Sequence, residues 1–179
     1  MIHVSEPITS APNEYRNDLH KMVYSTLVEL KIPFVRVDTD EAITMEDCIA
    51  IGEKLETPII KTLLLCNRQQ TNFYLFVTTS DKPFSTKDFS HAMEISRVSF
   101  ASGEQLESML GTKVGSASAL SLLHDPECKV QLVFDKEALQ EEWYGCSDTT
   151  TTGYMKLPTK DLLESFIPYT KHTPIIIEV

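Results

Sequence analysis

The sequence predicts a fold of the α/β (α+β) class with a mixed, largely antiparallel sheet. The first observation is an amphipathic stripe in residues 13–30, where apolar residues recur at three- and four-residue steps. The second is a pair of apolar, β-branched runs, 58–66 and 72–78, separated by a polar stretch, as in a hairpin near the centre of a sheet. The third is that helical and strand patterns mix without the regular strand–helix–strand repeat of a parallel sheet.

The elements before the hairpin have clear start and stop signals. Pro33 ends the helix predicted over 13–30, because proline cannot continue a helix, and residues 34–37 alternate as a short strand does. Thr44 followed by Asp47 resembles a capping box, which predicts a second helix reaching about Lys54.

The elements after the hairpin are shorter. Ser85 and Ser102 are suited to cap two short helices, with a strand at 97–100 between them. Glycines 111 and 115 bracket a loop that leads into the apolar run 119–123. The remaining predicted elements are strands at 129–134, 143–146, 154–157 and 174–179 and a helix that Thr159 caps and that reaches Ile167.

Composition and charge restrict the class of protein. The 179 residues, of which 42% are hydrophobic and 23% charged, predict one domain over 1–179 with a sizeable core. The net charge of −10 argues against DNA binding or other nucleic-acid binding by bulk charge. Residues 61–100 differ, since they hold five basic residues against three acidic ones, so a patch for an anionic ligand is expected there.

Cysteine usage and hydropathy predict a soluble, cytoplasmic protein without a membrane partner. The four cysteines are widely spaced and form no CxxC pair, as in a reduced protein. The first residues lack a signal-peptide pattern, and no apolar run approaches the ~20 residues that a membrane helix needs. The five histidines show no metal-ligand spacing, so neither a metal nor another cofactor is expected.

Three features are candidates for chemistry. Lys61 interrupts an apolar strand, and its ammonium must reach water, a partner or an anionic ligand. The small residues of 111–119 allow a backbone to approach a ligand closely, although a tight connection without a ligand has the same pattern. The hydroxyl-rich stretch 145–152 suits either an exposed loop or one wall of a polar pocket.

Several ordered segments together resemble one known family. They are 61–66 with 72–75, Asp81-Lys-Pro-Phe, Ser96-Arg-Val-Ser-Phe, Gly115-Ser-Ala-Ser, His124-Asp, Glu142-Trp-Tyr-Gly-Cys and Lys171-His-Thr-Pro. They extend over nearly the whole chain. On these residues the sequence resembles the YbaK/prolyl-tRNA synthetase insertion-domain-like editing proteins, in particular the free-standing PrdX/ProX branch of prolyl-tRNA synthetase associated domain proteins.

The resemblance implies a single YbaK-like domain with a barrel-like sheet flanked by helices. It implies an aminoacyl-tRNA deacylase that acts in trans on mischarged tRNA, typically alanine on proline tRNA, and so serves translation fidelity. Family members use neither a metal nor a covalent nucleophile. The implied partners are the acceptor end of aminoacyl-tRNA and, because family members can act beside it, prolyl-tRNA synthetase.

The resemblance also implies site residues. Lys61 matches the family's functional lysine and 115–119 matches its GxxxP loop, whose backbone surrounds the scissile carbonyl, so Lys61 and Gly115 are the expected catalytic residues. The expected substrate-binding residues are Thr62, Ser116, Ala117, Ser118, Ala119, Ser147, Asp148 and Thr151. An aminoacyl ester is already activated, so the protein need mainly position it and stabilise the developing oxyanion while water attacks.

The sequence departs from the family pattern around this site. Ala119 stands where the loop usually has proline, and Thr62 stands where asparagine is common. Residues 147–148 replace a His-Pro pair, and 151–152 replace Asn-Thr. Two hypotheses follow, a working deacylase or a family member that binds aminoacyl-tRNA or an amino-acid ligand without hydrolysis.

Overall fold

The computed structural model describes residues 1–42 and 44–179. The strands are β1 (Val35–Asp38), β2 (Lys61–Cys66), β3 (Phe73–Thr78), β4 (Ser99–Phe100), β5 (Val130–Asp135), β6 (Trp143–Ser147), β7 (Gly153–Pro158) and β8 (Ile175–Ile177). The α-helices are α1 (Asp18–Glu29), α2 (Met45–Leu55), α3 (Thr86–Met93), α4 (Gly103–Leu110), α5 (Thr159–Asp161) and α6 (Ile167–Tyr169). A π-helical segment, Leu162–Phe166, joins α5 to α6, and 3₁₀-helices occupy Ala119–His124 and Lys136–Leu139.

The strands form two sheets that confirm the predicted class. One has the order β1-β7-β6, and the other has the order β4-β2-β3-β5-β8. The predicted hairpin is β2–β3, an antiparallel pair in the interior of the larger sheet, with Lys61 opposite Thr78. The β3–β5 and β5–β8 pairs are parallel, and the other strand pairs are antiparallel, so the sheet is mixed and largely antiparallel.

The two sheets are open rather than closed into one barrel. Within the described residues, a parallel bridge between Ile59 and Gly145 connects the start of β2 to β6, and the Ile60 N–H donates to the Gly145 carbonyl at 2.9 Å. The main core fills the space between the sheets, where Leu64 of β2 and Tyr144 of β6 are both buried. A second core lies under α3, and a third lies under α2.

The helix caps largely follow the sequence signals. The Thr44–Asp47 capping box is present, and Ser85 and Ser102 cap α3 and α4. Helix α1 begins later than predicted, because Asn17 accepts from the His20 N–H and so caps it there.

The predicted cap of the last helix is wrong. Thr159 is the first helical residue rather than the cap, and Pro158 occupies the cap position without a side-chain hydrogen bond. The Thr159 hydroxyl instead donates to the Glu141 carbonyl at 2.7 Å, and its N–H donates to the Glu142 carbonyl, so this residue ties the helix to the chain before β6.

Gly145→Ala is expected to lower the free energy of unfolding by about 1–3 kcal/mol, because the bridge between the sheets has no room for a methyl group. A Cβ at Gly145 would lie 2.5 Å from the Pro58 carbonyl oxygen and 2.9 Å from Thr57 Cγ2. Gly103→Ala is the control, since its Cβ would meet only the flexible Val114 side chain, at 3.4 Å. Urea unfolding measures both variants, and equal stability of Gly145→Ala and the native protein would contradict the packing described.

Candidate functional site

The glycine-bracketed loop departs from α4 and leads into the 3₁₀-helix Ala119–His124. Gly111 ends α4 in the left-handed conformation, with φ +65°. Gly115 has φ +91°, a conformation that side-chain-bearing residues rarely adopt, and it is exposed. A Cβ at Gly115 would meet no atom within 4 Å, so the space beside this turn is open to a ligand.

Three of the N–H groups in 115–119 are used inside the protein. They are those of Ser116, which donates to the Lys113 carbonyl at 3.0 Å, Ser118, which donates to Ser121 Oγ at 3.1 Å, and Ala119, which donates to the Tyr144 hydroxyl at 3.4 Å. In the part of the chain that the structure describes, the N–H groups of Gly115 and Ala117 have no protein acceptor. The loop therefore offers two backbone donors to a ligand.

The end of the loop is fastened to β6 in the main core. Ala119 is fully buried against the Tyr144 hydroxyl, and Ser118 lies beside the Cys146 thiol. Burial raises the pKa of Tyr144 well above its ordinary value, and the neighbouring Cys146 adds to the rise, while the Ala119 N–H and the Thr62 hydroxyl oppose it. Burial likewise raises the pKa of Cys146. Both groups are therefore neutral at physiological pH and serve as packing rather than as nucleophiles.

The second wall of the site is the turn between β6 and β7. Ser147 Oγ donates to the Thr150 carbonyl at 2.8 Å and accepts from the Thr149 N–H at 3.1 Å. The Asp148 N–H donates to the Gly153 carbonyl at 3.0 Å. This turn is therefore held rigidly by its own side chains.

The Asp148 carboxylate is the centre of a buried network. Its Oδ1 accepts from the N–H and the hydroxyl of Thr150, at 3.1 and 2.6 Å, and its Oδ2 accepts from the Tyr24 hydroxyl at 2.8 Å. His20 Nε2 lies 3.0 Å from Oδ2, and His20 Nδ1 accepts from the Arg16 N–H, so Nε2 carries the proton. The network ties helix α1 to the 147–152 turn.

The same network determines the charge state of Asp148. Burial alone would raise the pKa of this carboxyl, but the hydrogen bond from His20, with the hydrogen bonds from Thr150 and Tyr24, outweighs burial and lowers it. Burial and the neighbouring Asp148 charge raise the pKa of Tyr24, so this phenol stays protonated and donates.

A cavity of about 270 Å³ separates the two walls. The residues lining it come from α4, from the glycine-bracketed loop, from the turn and from the segment that leads into α1, namely Glu107, Gly111, Lys113, Ser116, Thr149 to Thr152, Arg16 and Asn17. A neighbouring cavity of about 500 Å³ shares Arg16, Thr150 and Thr152 with it. Two cations and one carboxylate around the smaller cavity suit a ligand with both anionic and cationic groups.

Lys61 lies away from this cavity, on the other face of β2. Successive side chains of a strand point to opposite faces, so Lys61 shares the face of Leu63 while Thr62 shares that of Leu64 in the main core. Lys61 Nζ donates to the Lys82 carbonyl at 2.5 Å. The Thr62 hydroxyl is buried without a partner of hydrogen-bond geometry among the described residues and lies beside Tyr144.

The structure brings together only part of the residue set expected from the sequence. Ser116 and Thr151 line one cavity, next to Gly115 and Ala117. Ser147 stands behind the wall of this cavity with its hydroxyl already bonded, as Ser118 and Ala119 do behind the loop. Asp148 lines the neighbouring cavity of about 500 Å³, and its carboxylate oxygens accept hydrogen bonds from within the protein. Sequence reasoning missed His20 and Tyr24, which lie more than 120 positions from Asp148 and carry no local motif.

No metal site accompanies this cavity. In residues 1–42 and 44–179, no group of three His, Cys, Asp or Glu side chains comes together as a metal ion would require. The helices described are also too short or too polar to cross a membrane.

Comparison with known proteins identifies similar chains. Residues 39–164, more than half of the chain, match the family model described as aminoacyl-tRNA editing domain. The prolyl-tRNA editing protein ProX of Acetoanaerobium sticklandii is 26% identical over 145 residues, which cover 81% of this chain and 88% of that protein.

Two solved structures share the fold. The hypothetical protein APE2540 has a TM-score of 0.64 at 14% identity, with 87% of this chain and 97% of that chain covered. A candidate trans-editing enzyme for prolyl-tRNA synthetase has a TM-score of 0.62 at 12% identity, with 91% of this chain and 98% of that chain covered. The fold that the sequence resemblance implied is thereby confirmed.

Proposed function

The chain belongs to the aminoacyl-tRNA editing domain family, and from this premise we propose that it is a deacylase that hydrolyses the ester of mischarged tRNA in trans. The observation that carries the proposal is the pair of unengaged N–H groups of Gly115 and Ala117, the residues on either side of Ser116, which lines the cavity. Such donors stabilise the negative charge that develops on a carbonyl oxygen during attack by water.

The mechanism we propose needs no side-chain nucleophile. The ester is already activated, so the loop would hold its carbonyl oxygen on the two N–H groups while a water molecule attacks the carbonyl carbon. Ser147 and Asp148 are bonded within the protein, so neither serves as the general base. The free hydroxyl of the terminal ribose, which RNA has and DNA lacks, would orient the water.

The proposed substrate is alanine esterified to proline tRNA. The resemblance to free-standing editing proteins supports alanine, and the name of the 26% identical relative, a prolyl-tRNA editing protein, supports proline tRNA. A cavity of about 270 Å³ is small, and the exclusion of each additional methylene is worth about 1–3 kcal/mol. Because proline has two more carbon atoms than alanine, we expect alanyl esters to be hydrolysed faster than prolyl esters by at least about 10-fold.

Lys61 has a different role in this proposal. Because it lies on the face of β2 away from the cavity, we assign it to the nucleic acid backbone rather than to the ester. Its ammonium would leave the Lys82 carbonyl for a phosphate of the acceptor end, which it matches as a point charge.

Lys61→Ala is expected to weaken binding of an aminoacylated acceptor minihelix and to reduce the slope of log K against log salt by about 1. The measurement is fluorescence anisotropy at several salt concentrations. Lys160→Ala, which removes an exposed lysine from helix α5, should leave the slope unchanged. If the slope is unchanged in Lys61→Ala, the Lys61 ammonium does not contact a phosphate, and the aliphatic part of its side chain only packs on the sheet.

A second candidate function is binding without hydrolysis. It is favoured by the turn between β6 and β7, which departs from the family pattern and in which the polar side-chain atoms of Ser147 and Asp148 are hydrogen-bonded within the protein. A panel of alanyl-, seryl- and prolyl-tRNA for proline separates the two functions. Release of amino acid above the rate in buffer establishes the deacylase, whereas binding of these tRNAs without release establishes the binding protein.

A further inference from the structure

The residues lining the cavity of about 270 Å³ carry a charge opposite to that of the chain. Two cations, Arg16 and Lys113, and one carboxylate, Glu107, give this lining a net charge of +1, whereas the whole chain has a net charge of −10. Both cations are exposed, and neither forms an ion pair within residues 1–42 and 44–179. A positive cavity in an acidic protein attracts an anionic group.

Arg16 is held at this cavity by the segment that leads into α1. Its N–H donates to His20 Nδ1 at 3.0 Å, and the side chain of the following residue, Asn17, accepts from the His20 N–H at 2.8 Å. His20 is buried and bonded to Asp148. The backbone of Arg16 is therefore tied to the same network that holds the 147–152 turn.

Lys113 belongs to the same tight turn as the free backbone donors. Its carbonyl accepts from the N–H and the hydroxyl of Ser116, at 3.0 and 2.8 Å, and its N–H donates to Ser116 Oγ at 3.1 Å. Lys113 and Gly115 are two positions apart, so their Cα atoms lie within about 7 Å of each other. The Lys113 ammonium can therefore reach an anion attached close to a carbonyl that the Gly115 and Ala117 N–H groups hold.

The proposed substrate has one anion in that position. Esterification consumes the carboxylate of the amino acid, so the nearest negative charge is the phosphate on the 5′ carbon of the ribose that bears the ester. Arginine binds phosphate through two parallel N–H groups, and lysine binds it as a point charge. A free amino acid would present a carboxylate to the same two cations, so the recognition of an anion is shared by the two sources.

We propose that Arg16 and Lys113 form a site for the 5′ phosphate of the terminal nucleotide, and that this site positions the ester carbonyl at the N–H groups of Gly115 and Ala117. The inference rests on the proposed function for the identity of the ligand, an aminoacyl ester of a nucleotide. Lys61, on the face of β2 away from the cavity, then serves a phosphate further from the ester.

The test compares two esters that differ only in the phosphate. They are 3′-O-alanyl-adenosine and the same ester with a 5′-methyl phosphate, which carries the single negative charge of a phosphodiester. The native protein should hydrolyse the phosphorylated ester with a kcat/KM about 10-fold higher, because two exposed ion pairs contribute about 3-fold each. Arg16→Gln and Lys113→Gln should each lower this preference about 3-fold, and the double variant should bring it close to one.

Lys21→Gln is the matched control, since Lys21 is an exposed cation of α1 that lines neither the cavity of about 270 Å³ nor the one of about 500 Å³. It should keep the native preference. The variants should unfold at the native urea concentration, because each replaces an exposed residue that has no ion pair among the described residues.

Three kinetic results would overturn the proposal. One is a native protein that hydrolyses both esters with the same kcat/KM, which leaves the deacylase in place and removes the phosphate site. Another is a native preference in the double variant. The third is a loss of preference in Lys21→Gln equal to that in Arg16→Gln, since the effect would then come from overall charge rather than from a site.

A binding measurement separates this inference from the proposed function. Hydrolysis-resistant 3′-alanylamino-3′-deoxyadenosine, with and without the 5′-methyl phosphate, and free alanine are titrated into the native protein and the double variant and followed by NMR. If the native protein hydrolyses no ester but binds the phosphorylated amide more tightly, and the double variant does not, the deacylase proposal fails and the phosphate site stands. Equal affinity of the native protein for the two amides, or dependence on the two cations for free alanine alone, overturns the phosphate site.

Discussion

Replacement of the Ala117 N–H by an ester oxygen is expected to lower kcat for alanyl-tRNA by about 10²–10³-fold, the usual effect of removing one oxyanion donor. Incorporation of lactic acid at position 117 makes this change and leaves the side chain as it is. Because the Ala117 N–H has no acceptor among the described residues, its removal should leave the free energy of unfolding nearly unchanged. The measurements are single-turnover hydrolysis and urea unfolding.

Ala117→Ser is the control for this experiment, since it alters the side chain and keeps the N–H. Its kcat should stay within a few-fold of the native value. If the position-117 ester hydrolyses alanyl-tRNA at the native rate, the loop does not stabilise the oxyanion, and the assignment of its backbone to catalysis is wrong.

Asp148→Ala is expected to lower the free energy of unfolding by about 3–5 kcal/mol, the effect of removing one partner from a buried charged network. The substitution leaves the Tyr24 hydroxyl and the Thr150 N–H buried without their acceptor. Asp148→Asn should be less destabilising, because one amide oxygen can still accept two of these hydrogen bonds. Urea unfolding at neutral pH measures both variants.

The contribution of Asp148 to the free energy of unfolding should decrease as the pH falls. Its pKa is lower in the folded protein than in the unfolded chain, so its contribution is fully present above about pH 4 and is lost as the pH falls through the folded value. The difference in unfolding free energy between the native protein and Asp148→Asn should therefore shrink below about pH 4. A difference that stays constant down to pH 2 would show that the charge of Asp148 is not what the network recognises.

Local signals in the sequence were sufficient for most elements of the fold. The β2–β3 hairpin follows from two apolar runs and a polar turn, and the Thr44 capping box follows from residue types three positions apart. The positive φ of Gly115 likewise has a local signal, because the residue at this position is glycine, which adopts such a conformation readily. The π-helical segment before α6 has no such signal in the sequence.

The site was less predictable, because its parts come from distant positions. His20 and Asp148 form a hydrogen bond although 128 positions separate them, and neither local sequence contains a pattern that predicts the pair. The sequence predicts that Asp148 contacts substrate, and the four hydrogen bonds that its carboxylate accepts from within the protein could not be predicted from local sequence. By contrast, the alternation of side chains between the two faces of a strand can be predicted from the sequence. It places Lys61 and Thr62 on opposite faces of β2, although the family resemblance assigns both to one site.

We propose that backbone N–H groups of the glycine-bracketed loop promote the hydrolysis of an aminoacyl ester by water without a side-chain base. The most direct measurement is a single-turnover time course of alanyl-tRNA for proline with the native protein, the position-117 ester and buffer. We expect rapid loss of the aminoacyl ester with the native protein and a rate at least about 10²-fold lower with the position-117 ester. Native protein that leaves alanyl-tRNA decaying at the rate seen in buffer would contradict it.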